Sequence, residues 1–211
     1  MPPNRIHGFP VNNPTVAGLV IVLGLALAFI EIAVIEYSFE KIGIPHRQLF
    51  SLLLLSLLGS WVNIPVGKVR LEPPTPDGRT HTILAVNLGG AIVPTLLSLY
   101  LLATTGLFVA GLAATAIVTV ATHALARPVR GLGIAVPMFV PPLVAAAAAL
   151  VLSGSGAPAV AYVSGSLGTL IGADLLNLRA LRALGAPVAS IGGAGTFDGI
   201  FLTGILAVLL A

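Results

Sequence analysis

The chain contains no cysteine, which excludes disulfides and thiolate-based metal sites alike. Charge is almost as scarce: 10 Lys and Arg and 7 Asp and Glu make up 8% of 211 residues. An average soluble domain carries roughly 25%, so this composition cannot cover a surface that faces water. The formal net charge of +3 is small and dispersed, and it argues against a nucleic acid partner. Aromatic residues reach only 6%, with Trp61 the single tryptophan. No His-Glu-x-x-His helix, Gly-x-Ser-x-Gly elbow or phosphate-binding loop occurs. The residues thus imply no metal and no cofactor. The start, MPPNRIHGFPVNNP, lacks the basic region and small-residue cleavage site of a signal peptide, so the first apolar run reads as retained.

What the chain has is apolar length. Hydrophobic residues make up 57% of it, and the mean hydropathy is +1.06. A membrane-spanning helix needs about 20 mostly apolar residues. Such runs lie near 15–35, 48–66, 82–103, 105–125, 131–152, 157–178 and 187–211. They predict an all-α, polytopic helical membrane protein of about seven transmembrane helices. It would form a single integral membrane domain over 1–211, multi-pass in the cell membrane, with the lipid bilayer as its main partner.

Charge gives this count a separate test. With seven spans, Arg5, Lys68, Arg70, Arg79, Arg127, Arg130, Arg179 and Arg182 fall on one side, and only Lys41 and Arg47 on the other. Cytoplasmic connectors carry an excess of Lys and Arg, so the N-terminus is expected in the cytoplasm.

Against that background two carboxyls stand out. Asp174 and Asp198 lie in apolar runs, each twelve residues from Ala186 in the turn Gly185-Ala186-Pro187. If the turn joins two antiparallel helices, both arrive at similar depth. Intramembrane carboxylates are expensive and read as functional until a partner explains them. Before Asp174, Ser164, Gly168 and Gly172 recur every four residues, spacing that lets another helix approach closely. Asp174 lies about 120° around the helix from Gly168, so stripe and carboxyl should face different neighbours. Asn177 shares the aspartate's face and could bond it. The competing structural expectation pairs Asp174 with Arg179 or Arg182.

Asp198 follows Gly192-Gly193-Ala194-Gly195-Thr196-Phe197. Each glycine disfavours a regular helix by ~1 kcal/mol relative to alanine, so the last helix is expected to be glycine-broken. Broken backbone at membrane depth survives only where it is buried or lines a wet cavity. Gly193, Gly195 and Thr196 are therefore candidate substrate contacts, together with Asn177. Alternatively, Asp198 or Thr196 caps a short helix. A second polar interruption, Asn87-Leu88-Gly89-Gly90-Ala91, adds Asn87 to the candidates. It carries the same Gly-Gly-Ala in a span of the same direction. Pro137, Pro141 and Pro142 are expected to kink the fifth span.

GTLIGADLLNL, GAPVASIGGAGTFDGIFLTGILAVLL, NLGGAIVP and ARPVRGLGIAVP together resemble an uncharacterised domain-of-unknown-function family of bacterial and archaeal membrane proteins. That resemblance implies no activity. Gly193-Ala194-Gly195 with Asp198 is more loosely similar to the Gly-x-Gly-Asp motif of intramembrane aspartyl proteases, although Thr196 and Phe197 intervene. This second similarity implies catalysis by Asp174 and Asp198 on a transmembrane peptide substrate.

Three functions compete. An aspartyl hydrolase would hold one water between two carboxyls about 3 Å apart. An ion-coupled transporter would use the aspartates in a midplane site. In a noncatalytic membrane scaffold each aspartate would bond backbone N–H groups or an arginine.

Overall fold

The computed structural model describes residues 22, 33–34, 36–38, 40–44, 46–76, 78–129, 133–183, 185–193 and 199–211. Contacts divide the chain into two compact units, Met1–Tyr37 and Ser38–Ala211. Every element below belongs to the second. The first expected span, 15–35, lies outside the described residues except for Val22, Ala33 and Val34.

Helix α1, His46–Gly59, is a leucine-rich rod of 14 residues. It stops where Gly59 and Ser60 meet the backbone of Gly89. A Cβ on Gly89 would overlap the Ser56 carbonyl and the Ser60 amide, so only glycine admits this approach. The Ser56 hydroxyl donates to the Gly89 carbonyl at 3.1 Å.

The expected all-α architecture fails next. Strands β1 (Asn63–Arg70) and β2 (His81–Asn87) form an antiparallel hairpin, with a register shift between Pro65 and Gly67. Strand β5 (Val188–Ile191) adds to β2 in parallel, giving the order β1-β2-β5. Strands β3 (Arg127–Val129) and β4 (Gly133–Ala135) make a second, two-stranded sheet. The residues explain the outcome. Pro65 and Gly67 disfavour a helix through β1. In β2, Thr82, Ile83 and Val86 are β-branched, which favours strand. Thr82, Leu84 and Val86 share one face of β2. Leu84 and Val86 pack on a cluster of Ala91, Leu170, Ile191 and Ile200.

After β2, a π-helical turn at Leu88–Ile92 leads into α2 (Val93–Thr105), which closes on Gly106 in the left-handed region. Helices α3 (Phe108–Leu125), α4 (Val140–Ser153), α5 (Ala157–Thr169) and α6 (Gly199–Leu210) complete the fold. Pro141 and Pro142 sit in the first turn of α4. They start that helix instead of kinking one, because the missing N–H groups are orphans there anyway. Gly154, at φ +53°, reverses the chain so that α5 folds back on α4.

Helix α5 is central, with eleven of its thirteen residues buried, and it packs against α2, α3, α4 and α6. Its core is built on small side chains: Ala114, Ala145, Ala149, Ala161 and Ala207 surround Val118 and Val160. Close helix approach here rests on alanine and glycine. Gly168 meets Val118 and the Thr115 carbonyl of α3, and Gly172 meets the Thr119 carbonyl and Thr122.

The seven-span bundle is thus corrected. Among the described residues three helical stretches are long and apolar enough to cross a membrane: Leu88–Thr105, Phe108–Leu125 and Val140–Leu181. The third contains the reversal at Gly154, so it is a helical hairpin and not one rod. Helix α1 with 14 residues and α6 with 12 span about 21 and 18 Å at 1.5 Å per residue. Both fall short of the ~30 Å hydrocarbon core.

Candidate functional site

The polar groups that the sequence marks out meet where the three-stranded sheet adjoins the helices. Asn87, 1% exposed, ends β2. Its side-chain amide donates to the Ser60 carbonyl at 2.7 Å and to Asn63 Oδ1 at 3.1 Å. Its Oδ1 accepts from the Gly90 amide at 2.8 Å, capping the π-helical turn. The Ser190 hydroxyl of β5 donates to the same Asn63 oxygen. Asn63, Asn87 and Ser190 thus tie all three strands to the end of α1.

Asp174 approaches from α5. That helix continues through a π-helical turn, Leu170–Asp174, into a 3-10 helix over Leu175–Ala183. Asp174 Oδ2 accepts the backbone N–H of Gly192 at 2.6 Å. Gly192 is in the left-handed region at φ +72°, and a Cβ there would overlap Ala91 and the backbone of Gly90. The carboxyl therefore holds the end of β5 against the first glycine turn. Gly192, which opens the second Gly-Gly-Ala, is brought against Gly90 and Ala91 of the first, and the strands leading into the two motifs run in parallel. Gly193 lies beside Ser190 and Asn87.

Asn177 does not serve the aspartate. Its amide nitrogen donates to the carbonyls of Gly172 and Ala173, both at 2.9 Å, and stands 3.2 Å from His123 Nδ1. It satisfies carbonyls left free where the π-helical turn gives way to the 3-10 helix. That change of pitch shifts the helical phase on which the shared face depended. The Asp174–Arg179 expectation gives way to the bond with Gly192. Asp198, Gly195 and Thr196 lie outside the described residues.

Sequence reasoning missed Asn63, Ser60 and Ser190. Their signal was faint: an asparagine beside Trp61 and a serine in an apolar run.

The arrangement supplies little for catalysis. Among the described residues no three His, Asp or Glu side chains are placed to hold a metal ion. A groove of about 420 Å³ between α1 and α2 is apolar, lined by Leu52, Leu55, Val93, Leu96 and Leu97 with Tyr100. None of the candidate residues lines it. No catalytic pair is found among the described residues, and the multi-pass, protease-like, hydrolase and transporter expectations are withdrawn.

A family model described as "Protein of unknown function (DUF1614)" matches residues 25–210. No curated protein and no solved structure matches the chain. The looser similarity to Gly-x-Gly-Asp proteases therefore finds no support.

Proposed function

The chain belongs to the DUF1614 family, whose description assigns no activity, and from that premise we propose that it is a noncatalytic membrane scaffold. Its long apolar helices suit a lipid bilayer, and its buried polar side chains fasten backbone to backbone. The hydrogen bond from the Gly192 N–H to Asp174 carries this reading. A carboxyl that accepts a buried main-chain N–H is already engaged in holding structure. Asn87 acts in the same way, with both ends of its amide committed to groups of the fold. Membrane-length helices favour the bilayer as surroundings.

Two measurements on the full chain test the reading. The protein is expected to stay in the membrane pellet after alkaline carbonate extraction, and when purified to leave a single-span peptide uncleaved. Release into the soluble fraction, or cleavage that depends on Asp174, would overturn it.

A further inference from the structure

Among the described residues, strand β1 is an edge of the three-stranded sheet, with β2 its one strand partner. All its residues but Val69 are exposed. The exposed side chains sort along the chain. Trp61 is 79% exposed and Val66 57%, with Val62 and Ile64 between them also open. Lys68 and Arg70 follow, both exposed. Across the sheet, Lys68 pairs with Ile83 and Ile83 with Val188, and Arg70 pairs with His81, so this face mixes cations with exposed apolar groups.

Two exclusions fix the surroundings of such an edge. Main-chain N–H and C=O groups on its outer edge, which no described strand pairs, cannot lie in hydrocarbon. Trp61, Val62, Ile64 and Val66 form an apolar run poorly suited to open water. The headgroup layer satisfies both conditions, and tryptophan is enriched there. With the strand along the membrane normal, Lys68 falls within the headgroup layer and Arg70 beyond it. At about 3.3 Å per residue, Lys68 lies roughly 7 Å and Arg70 roughly 13 Å beyond Val66 along the strand. One headgroup layer is about 5–8 Å thick, and long cationic side chains bend to reach it.

Other cations gather at the same end of the fold. Strand β1 packs beside the 3-10 helix that carries exposed Arg179, and β4, partner of the strand that bears exposed Arg127, packs against the π-helical turn preceding that helix. Arg79 Nη1 donates to the Gly185 carbonyl at 3.5 Å, joining the 71–80 connector to the turn before β5.

The geometry points to the exposed edge strand β1, with the residues just before it, as a docking surface for the headgroups of anionic phospholipids; the bulge at Pro65/Gly67 turns Lys68 and Arg70 to the sheet face opposite Ile64. Trp61, Val62, Ile64 and Val66 insert at the acyl boundary, while Lys68 and Arg70 bind phosphate. This inference rests on the membrane reading above. Charge complementarity selects the lipid: over residues 68–79 Lys68, Arg70 and Arg79 outnumber Glu72 and Asp77, and the two cations on the strand itself, next to its apolar end, fit a negatively charged bilayer surface.

Trp61 is the only tryptophan, so its fluorescence reports this strand alone. The full chain is reconstituted in nanodiscs of phosphatidylcholine, with or without phosphatidylglycerol, some carrying lipids brominated at shallow or deep acyl positions. Shallow bromines are expected to quench Trp61 more than deep ones. Phosphatidylglycerol is expected to be enriched over phosphatidylcholine in lipid retained by the protein. The double variant K68Q/R70Q should reduce that preference by about 25-fold, at about fivefold per cation, and leave the Trp61 quenching unchanged. Equal retention of the two lipids overturns the inference. So does a Trp61 that bromine cannot quench, whether because it is in water or because it is covered by a second copy. Tighter binding of a soluble RNA oligomer than of anionic lipid does the same. Failure of the chain to enter nanodiscs at all would count against the membrane reading itself, which separates the two outcomes.

Discussion

Replacing Asp174 by alanine and by asparagine distinguishes a structural clasp from a catalytic group. Alanine removes the acceptor of the 2.6 Å bond from Gly192 and leaves a buried N–H with no partner. A buried donor orphaned in this way costs about 1–3 kcal/mol, and the short distance and the burial of Gly192 place the change in the upper half of that range. No neighbour can move in as a substitute acceptor without displacing Gly192, which is pressed against Gly90 and Ala91. Asparagine keeps a carbonyl oxygen at the same reach and should lose less than ~1 kcal/mol. For a chain of this size each kcal/mol shifts the melting temperature by roughly 2–4 °C. Thermal unfolding in detergent, followed through Trp61, should therefore drop by roughly 4–12 °C for D174A and by at most a few degrees for D174N. A catalytic carboxyl would give the opposite pattern, with both variants folded and both inactive. Equal melting of the two variants, or no shift for D174A, would refute the clasp.

Asn87→Ala removes two donated bonds and one accepted bond in a residue with almost no exposure. It should destabilise the fold by about 2–4 kcal/mol, seen as early hydrogen exchange in Leu88–Ile92. Gly172→Ala places a Cβ 2.6 Å from the Thr119 carbonyl, so α3 and the π-helical turn that follows α5 must separate. Overpacking of about 1–3 kcal/mol outweighs the ~1 kcal/mol gained in helix propensity. Gly67→Ala meets nothing within 4 Å and serves as the matched control, with an unchanged melting temperature.

One helix contact was legible in the sequence for a sound physical reason. The four-residue spacing of Gly168 and Gly172 marks a close helix contact, and the structure puts α3 against it. The polar stretch at Asn87 was expected to interrupt a helical span; instead a strand ends there and a π-helical turn begins, and the contact of Gly192 with Gly90 and Ala91 was not read from the repeated Gly-Gly-Ala. The strands were not legible. Residues 82–87 are buried enough to read as a membrane run, and apolar content over a window does not separate a buried strand from a helix. Pro65, Gly67 and the β-branched Thr82, Ile83 and Val86 carried the missing signal. Asn177 was misread because a fixed 100° step does not hold across a π-helical turn and a 3-10 helix. Pro141 and Pro142 were misread because a proline kinks a helix only when a turn precedes it.

The parallel pairing of β2 with β5 bears on how the chain is made. Ile83 finds its partner Val188 about a hundred residues later. At roughly 5–20 residues per second during synthesis, the strand that completes the sheet emerges some 5–20 s after β2. Through that interval one edge of β2 has open main-chain groups, and Asn87 has no β5 beside it. Joining residues so distant is slow and leaves the exposed edge open to wrong partners. The helices α2 to α5, made in between, can pack early through nearer contacts. Asp174 is synthesised before Gly192, so the acceptor of this bond exists before its donor.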